Sequence, residues 1–312
     1  SITAIERTSD GLWIANYNAT NSLHFLKADG TWESFSFSFL PSKYPVDLIL
    51  DMENNLWILL SSKDGGGIVV FNKQSNKSVY LTDQGGQGGL PSKKVRSIAV
   101  DRSGYVWVGT EQGVAYFSNS SAVFDGNVNA ERPIYDDRFL LRDETIISLA
   151  VDGGNRKWIG TENGAWLFDP LGETLVYNFT SDNSPLLSDR IQSIGIHPVS
   201  GEVFLGTDKG LASFRSDATA GSENYEFVKI FPNPVTARFN GLVAIEHLIT
   251  DSIVKITDVA GKLIWQTMAN GGTASWNMRD AAGKRVETGI YLVFLSIVDG
   301  SDRNVGKIAI IE

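Results

Sequence analysis

The sequence predicts an all-β protein with two domains, and two features of the chain carry this prediction. The first is the stretch VWVGTEQGVAYF at 106–117, which returns as KWIGTENGAWLF at 157–168 and as VFLGTDKGLASF at 203–214. The second is a different set of short apolar runs, separated by turn residues, after residue 224. A helical period of 3.6 residues is absent throughout, so no helical domain is expected.

Each copy of the repeat is predicted to form a β-hairpin. An apolar run ends at Gly-Thr, a short polar turn contains Gly113, Gly164 or Gly210, and a second apolar run follows. This order is typical of two antiparallel strands joined by a tight turn. Two looser copies begin at Leu12 and Leu56, so the repeat extends over the first two thirds of the chain.

The spacing of the copies predicts a β-propeller at residues 1–215. The aromatic anchors of the five copies are 44, 50, 51 and 46 residues apart; they are Trp13, Trp57, Trp107, Trp158 and Phe204. Such a period fits a four-stranded propeller blade, and a hairpin of this kind buries its faces only by stacking on its neighbours. Five copies are visible, whereas propellers with such repeats usually close with more blades. Either the ring is cut at Ser1 or it closes with five blades, and we favour an incomplete part of a larger ring.

The third and fourth copies show the strand order of a blade most clearly. In the third, a run at 95–100 is followed by a turn, a return run at 105–110 and a last run at 114–117. The fourth repeats this order and adds a candidate outer strand at 175–179. Near-continuous apolar runs of this length indicate strands that are buried on both faces.

The remainder of the chain predicts a linker and a β-sandwich. Residues 216–224 are small and polar without periodicity, which is typical of a linker. Residues 225–312 contain seven candidate strands, at 225–231, 242–247, 253–258, 262–268, 273–278, 290–299 and 305–311. Seven short strands in some 90 residues are typical of an immunoglobulin-like sandwich.

Composition excludes several classes of function. The formal charge is −9, and the first 220 residues hold 18 basic and 26 acidic side chains, so no basic stripe for nucleic acid is present. The chain has no cysteine, which removes disulfides and thiol catalysis. No apolar run approaches the roughly 20 residues that cross a bilayer, so no transmembrane segment is predicted.

No residue pattern indicates catalysis, a metal or a cofactor. The three histidines, His24, His197 and His247, lie in different units without a second ligand at metal spacing. Nucleophile-elbow, zincin and phosphate-loop patterns are absent. Carboxylates also follow the Gly-Thr of three copies, and propeller symmetry would place them on one face. We interpret the threonine and the carboxylate mainly as turn caps that keep this face soluble, with a polar ligand-binding face as the alternative.

The propeller copies resemble a known repeat family. The segment from Val95 to Gly113 follows the form V-R-S-I-A-V-D-x-x-G-x-V-W-V-G-T-x-x-G and resembles the two-component-regulator propeller repeat. That family occurs in sensor ectodomains of Bacteroidetes. The resemblance implies the same propeller fold as the repeat period.

The last 85 residues resemble the C-terminal sorting domain of the type IX secretion system. The resemblance is carried by FPNPV at 231–235, KITDVAGKLIWQ at 255–266, the W-N-x-R-D-x-x-G-K-x-V-x-x-G-x-Y series at 276–291, and KIAII at 307–311. It implies that six residues serve folding and recognition by the secretion machinery; these are Pro232, Asn233, Pro234, Gly289, Tyr291 and Lys307.

The combination of such a propeller with such a sorting domain resembles a surface component of the type IX secretion machinery. It implies export to the cell surface or outer membrane and a non-enzymatic role in the attachment complex. The implied partners are secretion and attachment-complex proteins, with anionic lipopolysaccharide as a further ligand. An acidic propeller would repel such a ligand at long range. The candidate binding site is therefore the basic cluster Lys93, Lys94 and Arg96, whose positive charge would offset this repulsion locally. The alternative is a glycan-active enzyme or carbohydrate-binding propeller protein exported by the same system.

Overall fold

A computed structural model describes residues 1–222, 224, 227–296 and 302–311 of the chain. The predicted domain start at 225, the end of the strand predicted at 290–299 and residue 312 lie outside the described residues. Apart from two short 3-10 helices, at Leu40–Lys43 and Ser121–Phe124, the regular structure described is β-strand. Neither helix has the length and apolar character that a membrane-crossing helix needs.

The chain divides into two compact units. The first consists of Ser1–Val151, Arg156–Gly195 and Phe204–Ala212, and the second of Asp152–Asn155, Ile196–Val203 and Ser213–Glu312. The first unit holds most of the predicted propeller, and the second holds the predicted sandwich. Two short segments from the propeller repeats are grouped with the second unit.

The five copies of the repeat form five antiparallel sheets, which we number as blades 1 to 5. Blade 1 has strands Ile2–Arg7, Gly11–Asn16, Leu23–Lys27 and Trp32–Phe35, and blade 2 has Pro45–Leu50, Leu56–Leu60, Ile68–Asn72 and Lys77–Leu81. Blade 3 has Val95–Val100, Val106–Thr110 and Gly113–Phe117, and blade 4 has Ile146–Val151, Lys157–Thr161, Gly164–Phe168 and Leu175–Phe179. Blade 5 has Ile191–Ile196, Glu202–Thr207 and Gly210–Arg215. The predicted strand order, including the outer strand of blade 4, is confirmed.

Two shorter pairings lie beside blade 3. Gln87–Gly88 pairs in parallel with Val128–Asn129, and Ile134–Tyr135 forms a small hairpin with Arg138–Phe139. Blade 3 has no fourth strand of its own in its sheet. The chain between blades 3 and 4 contains the small hairpin in place of such a strand, and we refer to residues 118–145 as the insertion.

The repeated Gly-Thr turns are hairpins, as predicted. Thr110 donates its hydroxyl proton to Gly113 O at 2.9 Å and accepts from Gln112 N at 3.0 Å. Thr161 makes the same contact with Gly164 O at 3.1 Å. Gly113 has a φ of +88°, and a Cβ there would lie 2.6 Å from Leu140 O, so only glycine fits this turn.

Successive blades bury their apolar faces against each other. Every residue of Val106–Thr110 and of Lys157–Thr161 is buried. The Trp57 ring of blade 2 lies 5.2 Å from the Phe117 ring of blade 3, and the Trp13 ring of blade 1 lies 6.1 Å from the Phe71 ring of blade 2. These contacts confirm that the anchor aromatics build the core between blades.

A repeated aspartate holds the first turn of a blade to its anchor tryptophan. Asp51 accepts from Trp57 Nε1 at 2.8 Å, and Asp101 accepts from Trp107 Nε1 at 2.9 Å. Asp51 also accepts from the backbone N–H groups of Glu53 and Asn55. The aspartate thus satisfies three buried or half-buried donors, which accounts for its place before each turn.

The first strand of blade 1 has an open face. Ile2 and Ile5 are 64% and 58% exposed, whereas the equivalent strands of blades 2, 3 and 4 each bury their first residue. Leu211 of blade 5 is likewise 65% exposed. The expectation of a larger ring stays a prediction.

The second unit contains a two-sheet sandwich. One sheet has the order Lys229–Phe231, Val243–Glu246 and Thr273–Trp276; the other has Val235–Thr236, Asp302–Ile311, Gly289–Ser296, Ile253–Asp258 and Leu263–Met268. Its core includes Val243, Ile245 and Trp276 from the first sheet, and Val254, Ile256, Val293 and Ile308 from the second. The described residues therefore form eight strands rather than the seven predicted. The additional strand, Val235–Thr236, has only two residues and pairs in parallel with Ile310 and Ile311.

The segment predicted to be a linker is ordered against the sandwich. Thr219 bridges to Gly271 and Ser222 bridges to Ile249, each in parallel. Ala218 is fully buried, and Gly272 N donates to Thr219 O at 2.9 Å. Small residues allow this close backbone approach, so the composition that suggested a free linker has a packing role here.

Candidate functional site

The predicted basic cluster is partly neutralised by a neighbouring carboxylate. Lys94 Nζ lies 3.0 Å from Glu111 Oε2, and Arg96 Nη2 lies 2.5 Å from Glu111 Oε1. Burial on its own raises the pKa of Glu111, but the hydrogen bonds from Lys94 and Arg96 outweigh it and hold that pKa below its ordinary value. Lys93 is exposed, and among the described residues its side chain has no ion-pair partner. The structure therefore joins Lys94 and Arg96 through Glu111 and leaves Lys93 available.

The carboxylates that follow the Gly-Thr turns differ in their surroundings. Glu111 is held by two cations, whereas Glu162 Oε1 lies 3.8 Å from Arg190 Nη2 at an exposed position. Asp208 is exposed, and Thr207 caps its turn by donating to Gly210 O at 2.8 Å. The threonines thus act as turn caps, as interpreted from the sequence.

A cavity that the sequence did not predict adjoins Glu111. It has a volume of about 540 Å³ and is lined by Glu111, Gln112, Arg132, Phe139, Arg142 and Asp143. Most of these residues belong to the insertion between blades 3 and 4, which has no equivalent in the other repeats. Asp136 and Asp137 form the turn of its hairpin.

A second cavity lies at the turns of blades 1 and 2. It has a volume of about 550 Å³, and its lining includes Trp13, Phe25 and Lys73. Lys73 Nζ lies 3.8 Å from the Phe25 ring centroid, and Trp13 is only 4% exposed. Both aromatic faces are covered, so they are not platforms on which a sugar ring could stack.

The FPNPV segment is tied to the last strand by one asparagine. Asn233 Nδ2 donates to Lys307 O at 2.8 Å, and Asn233 Oδ1 accepts from Ala309 N at 3.0 Å. Both partners belong to the backbone of the strand Asp302–Ile311. Pro232 and Pro234 flank Asn233, and both peptide bonds that precede them are cis.

The other sorting-domain residues lie on the same strand pair. Gly289 begins the strand Gly289–Ser296 and pairs with Ile310. Tyr291 is 8% exposed and donates to Glu287 O at 2.8 Å, and its burial raises the pKa of its phenol. Lys307 is exposed on the last strand. The structure therefore brings all six predicted residues to one part of the sandwich, although they lie up to 75 positions apart in sequence.

The described residues contain no group of three or more His, Asp or Glu side chains placed to hold a metal ion. His24 Nδ1 lies 2.8 Å from Ser34 Oγ, and His197 Nδ1 accepts from Ser200 N at 3.1 Å. These two histidines therefore have local hydrogen-bonding roles.

Two family models match parts of the chain. Residues 229–311 match the family described as the secretion system C-terminal sorting domain, and residues 89–112 match the two component regulator propeller. The comparison with curated proteins gave no match. Both matches coincide with the segments that carried the sequence resemblances.

Solved structures resemble the whole chain. PorZ, described as an essential bacterial surface component of the type-IX secretion system of Porphyromonas gingivalis, is 26% identical with a TM-score of 0.67, covering 100% of this chain and 45% of the PorZ chain. The extracellular domains of two putative hybrid two component systems from B. thetaiotaomicron, BT3049 and BT4673, are 14% and 17% identical, with TM-scores of 0.52 and 0.50. Each of these two matches covers 100% of this chain, and they cover 55% of the BT3049 domain and 44% of the BT4673 domain. At such low sequence identity, the two matches show a shared fold alone. The chain spans less than half the length of PorZ. It is similar to PorZ over its whole length, and it combines a segment that matches the two component regulator propeller with one that matches the secretion system C-terminal sorting domain.

Proposed function

We propose that this protein is a non-enzymatic surface component of the type IX secretion attachment complex. In this proposal the propeller blades dock a partner protein or anionic lipopolysaccharide, and the sorting domain directs export. The sorting-domain match and the likeness to PorZ indicate export and a cell-surface location.

One observation carries the proposal: the likeness to PorZ runs through both the propeller blades and the sorting domain. At 26% identity over 100% of this chain, the likeness covers more than the widespread propeller repeat alone. A protein that had only borrowed the sorting domain as an export signal would resemble PorZ over residues 229–311 and not over the blades.

The charge distribution identifies where an anionic ligand would dock. The propeller region is acidic as a whole, so long-range electrostatics oppose an anionic polymer unless cations are grouped locally. Lys93, Lys94 and Arg96 form such a group on blade 3, with Glu111 offsetting two of them. The docking site we propose is therefore this cluster, held in part by Glu111.

The test measures binding of the full chain to immobilised anionic lipopolysaccharide at several salt concentrations. The triple variant Lys93→Gln, Lys94→Gln, Arg96→Gln should bind at least about tenfold more weakly, with a shallower salt dependence. The matched control removes three exposed cations of the sorting domain through Arg238→Gln, Lys262→Gln and Lys284→Gln, and should bind like the parent. Glu111→Gln should bind more tightly, because it releases Lys94 and Arg96.

Equal binding by the parent and the triple variant would refute docking of lipopolysaccharide at this cluster. Binding of a neutral glycan with the same affinity would instead support the alternative of a carbohydrate-binding propeller protein exported by the same system. Turnover of a glycan by the purified chain would contradict the non-enzymatic role.

A further inference from the structure

The insertion between blades 3 and 4 positions two arginines at the cavity beside Glu111. Its hairpin turns at Asp136 and Asp137, both of which have positive φ values, of 52° and 58°. Two successive left-handed residues are typical of a type I′ turn, which gives a well-defined hairpin. Arg142 N donates to Phe139 O at 3.1 Å, so the chain turns back immediately after the hairpin and places Arg142 near Arg132.

Arg132 is held in place but has unused hydrogen-bonding capacity. Its guanidinium Cζ lies 4.0 Å from the centroid of the Phe139 ring, a cation–π contact that fixes the plane of the group. Its Nε is buried without a hydrogen-bond partner among the described residues. Burial and, secondarily, repulsion from Arg142 lower the pKa of Arg132. Buried donors are normally satisfied, so this arginine is prepared for a group that the protein itself does not supply.

Both carboxylates that line the cavity are already paired with cations. Lys94 and Arg96 contact Glu111, and Arg138 and Arg142 contact Asp143. The lining itself holds these two carboxylates and two arginines, Arg132 and Arg142. Arg132 has no carboxylate within ion-pair distance among the described residues. Its positive charge is therefore available to attract an anion.

The size and lining of the cavity limit what it can hold. Its volume of about 540 Å³ falls within the range of small-ligand sites. Gln112 adds an uncharged amide that can donate or accept, and Phe139, the cavity's aromatic residue, is 42% exposed. Arginine forms planar paired hydrogen bonds with carboxylate and phosphate oxygens. The lining therefore suits a compact oxyanion carried by a small polar molecule.

We propose that this cavity is an oxyanion-binding site that takes a phosphate or carboxylate group, with Arg132 as the principal donor and Arg142 as the second. Asp143 holds Arg142 in place, and Glu111 borders the site while Lys94 and Arg96 offset its charge. The site is distinct from the Lys93, Lys94 and Arg96 cluster and does not depend on the proposed function. It would exist equally in a protein with no role in secretion.

The test follows the arginine Nε–H signals of the full chain by NMR during titration with inorganic phosphate. Addition of phosphate should produce saturable shifts, largest at Arg132. Glucuronate and glucose form two further arms: saturable binding of glucuronate as well as phosphate would show that the site accepts carboxylates, and glucose should produce no shift. A response to phosphate alone would restrict the site to phosphate groups.

Variants identify the residues that bind. Arg132→Gln should weaken binding of phosphate by at least about tenfold, the loss expected for charged hydrogen bonds, and Arg142→Gln by a smaller factor. Arg7→Gln removes an exposed cation of blade 1 and should bind like the parent. An unchanged amide spectrum outside the insertion shows that each variant is folded.

Three results would overturn the proposal. The first is the absence of saturable shifts at Arg132 in the parent protein with either anion. The second is equal weakening by Arg132→Gln and Arg7→Gln, which would indicate a general effect of net charge. The third is unchanged binding by both Arg132→Gln and Arg142→Gln, which would place the anion outside this cavity.

Discussion

Lys157 Nζ lies 3.0 Å from Asp101 Oδ2 between blades 3 and 4, and the two side chains are only 2% and 1% exposed. Lys157 stands at the position that Val106 occupies in the preceding copy. Its ammonium also donates to Pro170 O at 2.8 Å and lies 4.7 Å from the Trp107 ring centroid. The buried charge of Lys157 is tolerated at this otherwise apolar position. The Asp101 carboxylate, the Pro170 carbonyl and the Trp107 ring replace the water that would surround the ammonium in solvent.

Removing this lysine should destabilise the first unit. Lys157→Met leaves the Asp101 carboxylate buried without its cation, and breaking a buried pair in this way costs about 3–5 kcal/mol. Urea unfolding followed by tryptophan fluorescence measures the change. Arg138→Met breaks an exposed pair with Asp143 and should cost about 0–1 kcal/mol. Similar losses in the two variants would show that the buried pair contributes no more than a surface pair.

The pH dependence of stability should reveal a buried carboxylate in blade 2. Burial raises the pKa of Asp47 above its ordinary value of 3.8. As pH rises, Asp47 therefore loses its proton at a lower pH in the unfolded chain than in the folded one. The free energy of unfolding consequently falls as pH rises from about 4 through the pKa that Asp47 has in the folded state. Asp47→Asn should be more stable than the parent at pH 7, and the difference should vanish near pH 3.

Asp29 provides the control of opposite sign. Hydrogen bonds from the Thr31 side chain and backbone lower the pKa of Asp29. Asp29 therefore stabilises the folded protein at pH values above the pKa that it has in the unfolded chain. This stabilisation is lost as pH falls through its pKa in the folded state. Asp29→Asn should give no gain in unfolding free energy at pH 7. If Asp29→Asn raised the unfolding free energy as much as Asp47→Asn does, both effects would be due to the change in net charge.

Replacing Gly113 should disrupt the turn of blade 3. Alanine there combines a positive φ, which costs about 1–2 kcal/mol, with a Cβ 2.6 Å from Leu140 O, a backbone atom that cannot move freely. Gly126 also has a positive φ but open space around its Cα, so Gly126→Ala should show the conformational cost alone. Thermal unfolding compares the two, and equal shifts would mean that the Leu140 contact relaxes without cost.

Asn233 should protect the last strand from exchange with solvent. Asn233→Ala removes two hydrogen bonds to that strand and should lower the stability of the sandwich by about 1–3 kcal/mol. Hydrogen exchange at the Ala309 amide should accelerate specifically. Asn240→Ala, at an exposed asparagine, is the matched control. Unchanged exchange at Ala309 would show that the asparagine does not hold the strand.

The repeated hairpins could be predicted because related apolar runs recur at five places. Spacings of 44 to 51 residues, with Gly-Thr before the turn in three of the copies, leave little freedom in the fold. Blade 4 follows the predicted strand order through to its outer strand. Val235–Thr236 could not be predicted in this way, since two residues have no detectable alternation. Its pairing depends on a strand some 75 positions further along the chain.

The candidate sites could be predicted less completely, because charges act through spatial neighbours. The sequence identified the cluster of Lys94 and Arg96 and, separately, the carboxylate of Glu111. It did not show that these groups contact one another. Arg132 lies in an insertion without repeat equivalents, so no pattern marked it. Its role depends on Phe139 beneath it, which only the hairpin geometry reveals.

The tie between Asn233 and the strand Asp302–Ile311 has a consequence for how the sorting domain can be recognised. FPNPV and KIAII form one surface only when the strands between them have assembled. If these two segments are the recognition element, as the sequence resemblance implies, we expect them to be recognised as a folded surface and not as a linear peptide. A chain interrupted before residue 302 would contain FPNPV without displaying the surface, so export would also serve as a test that the domain had been completed and folded.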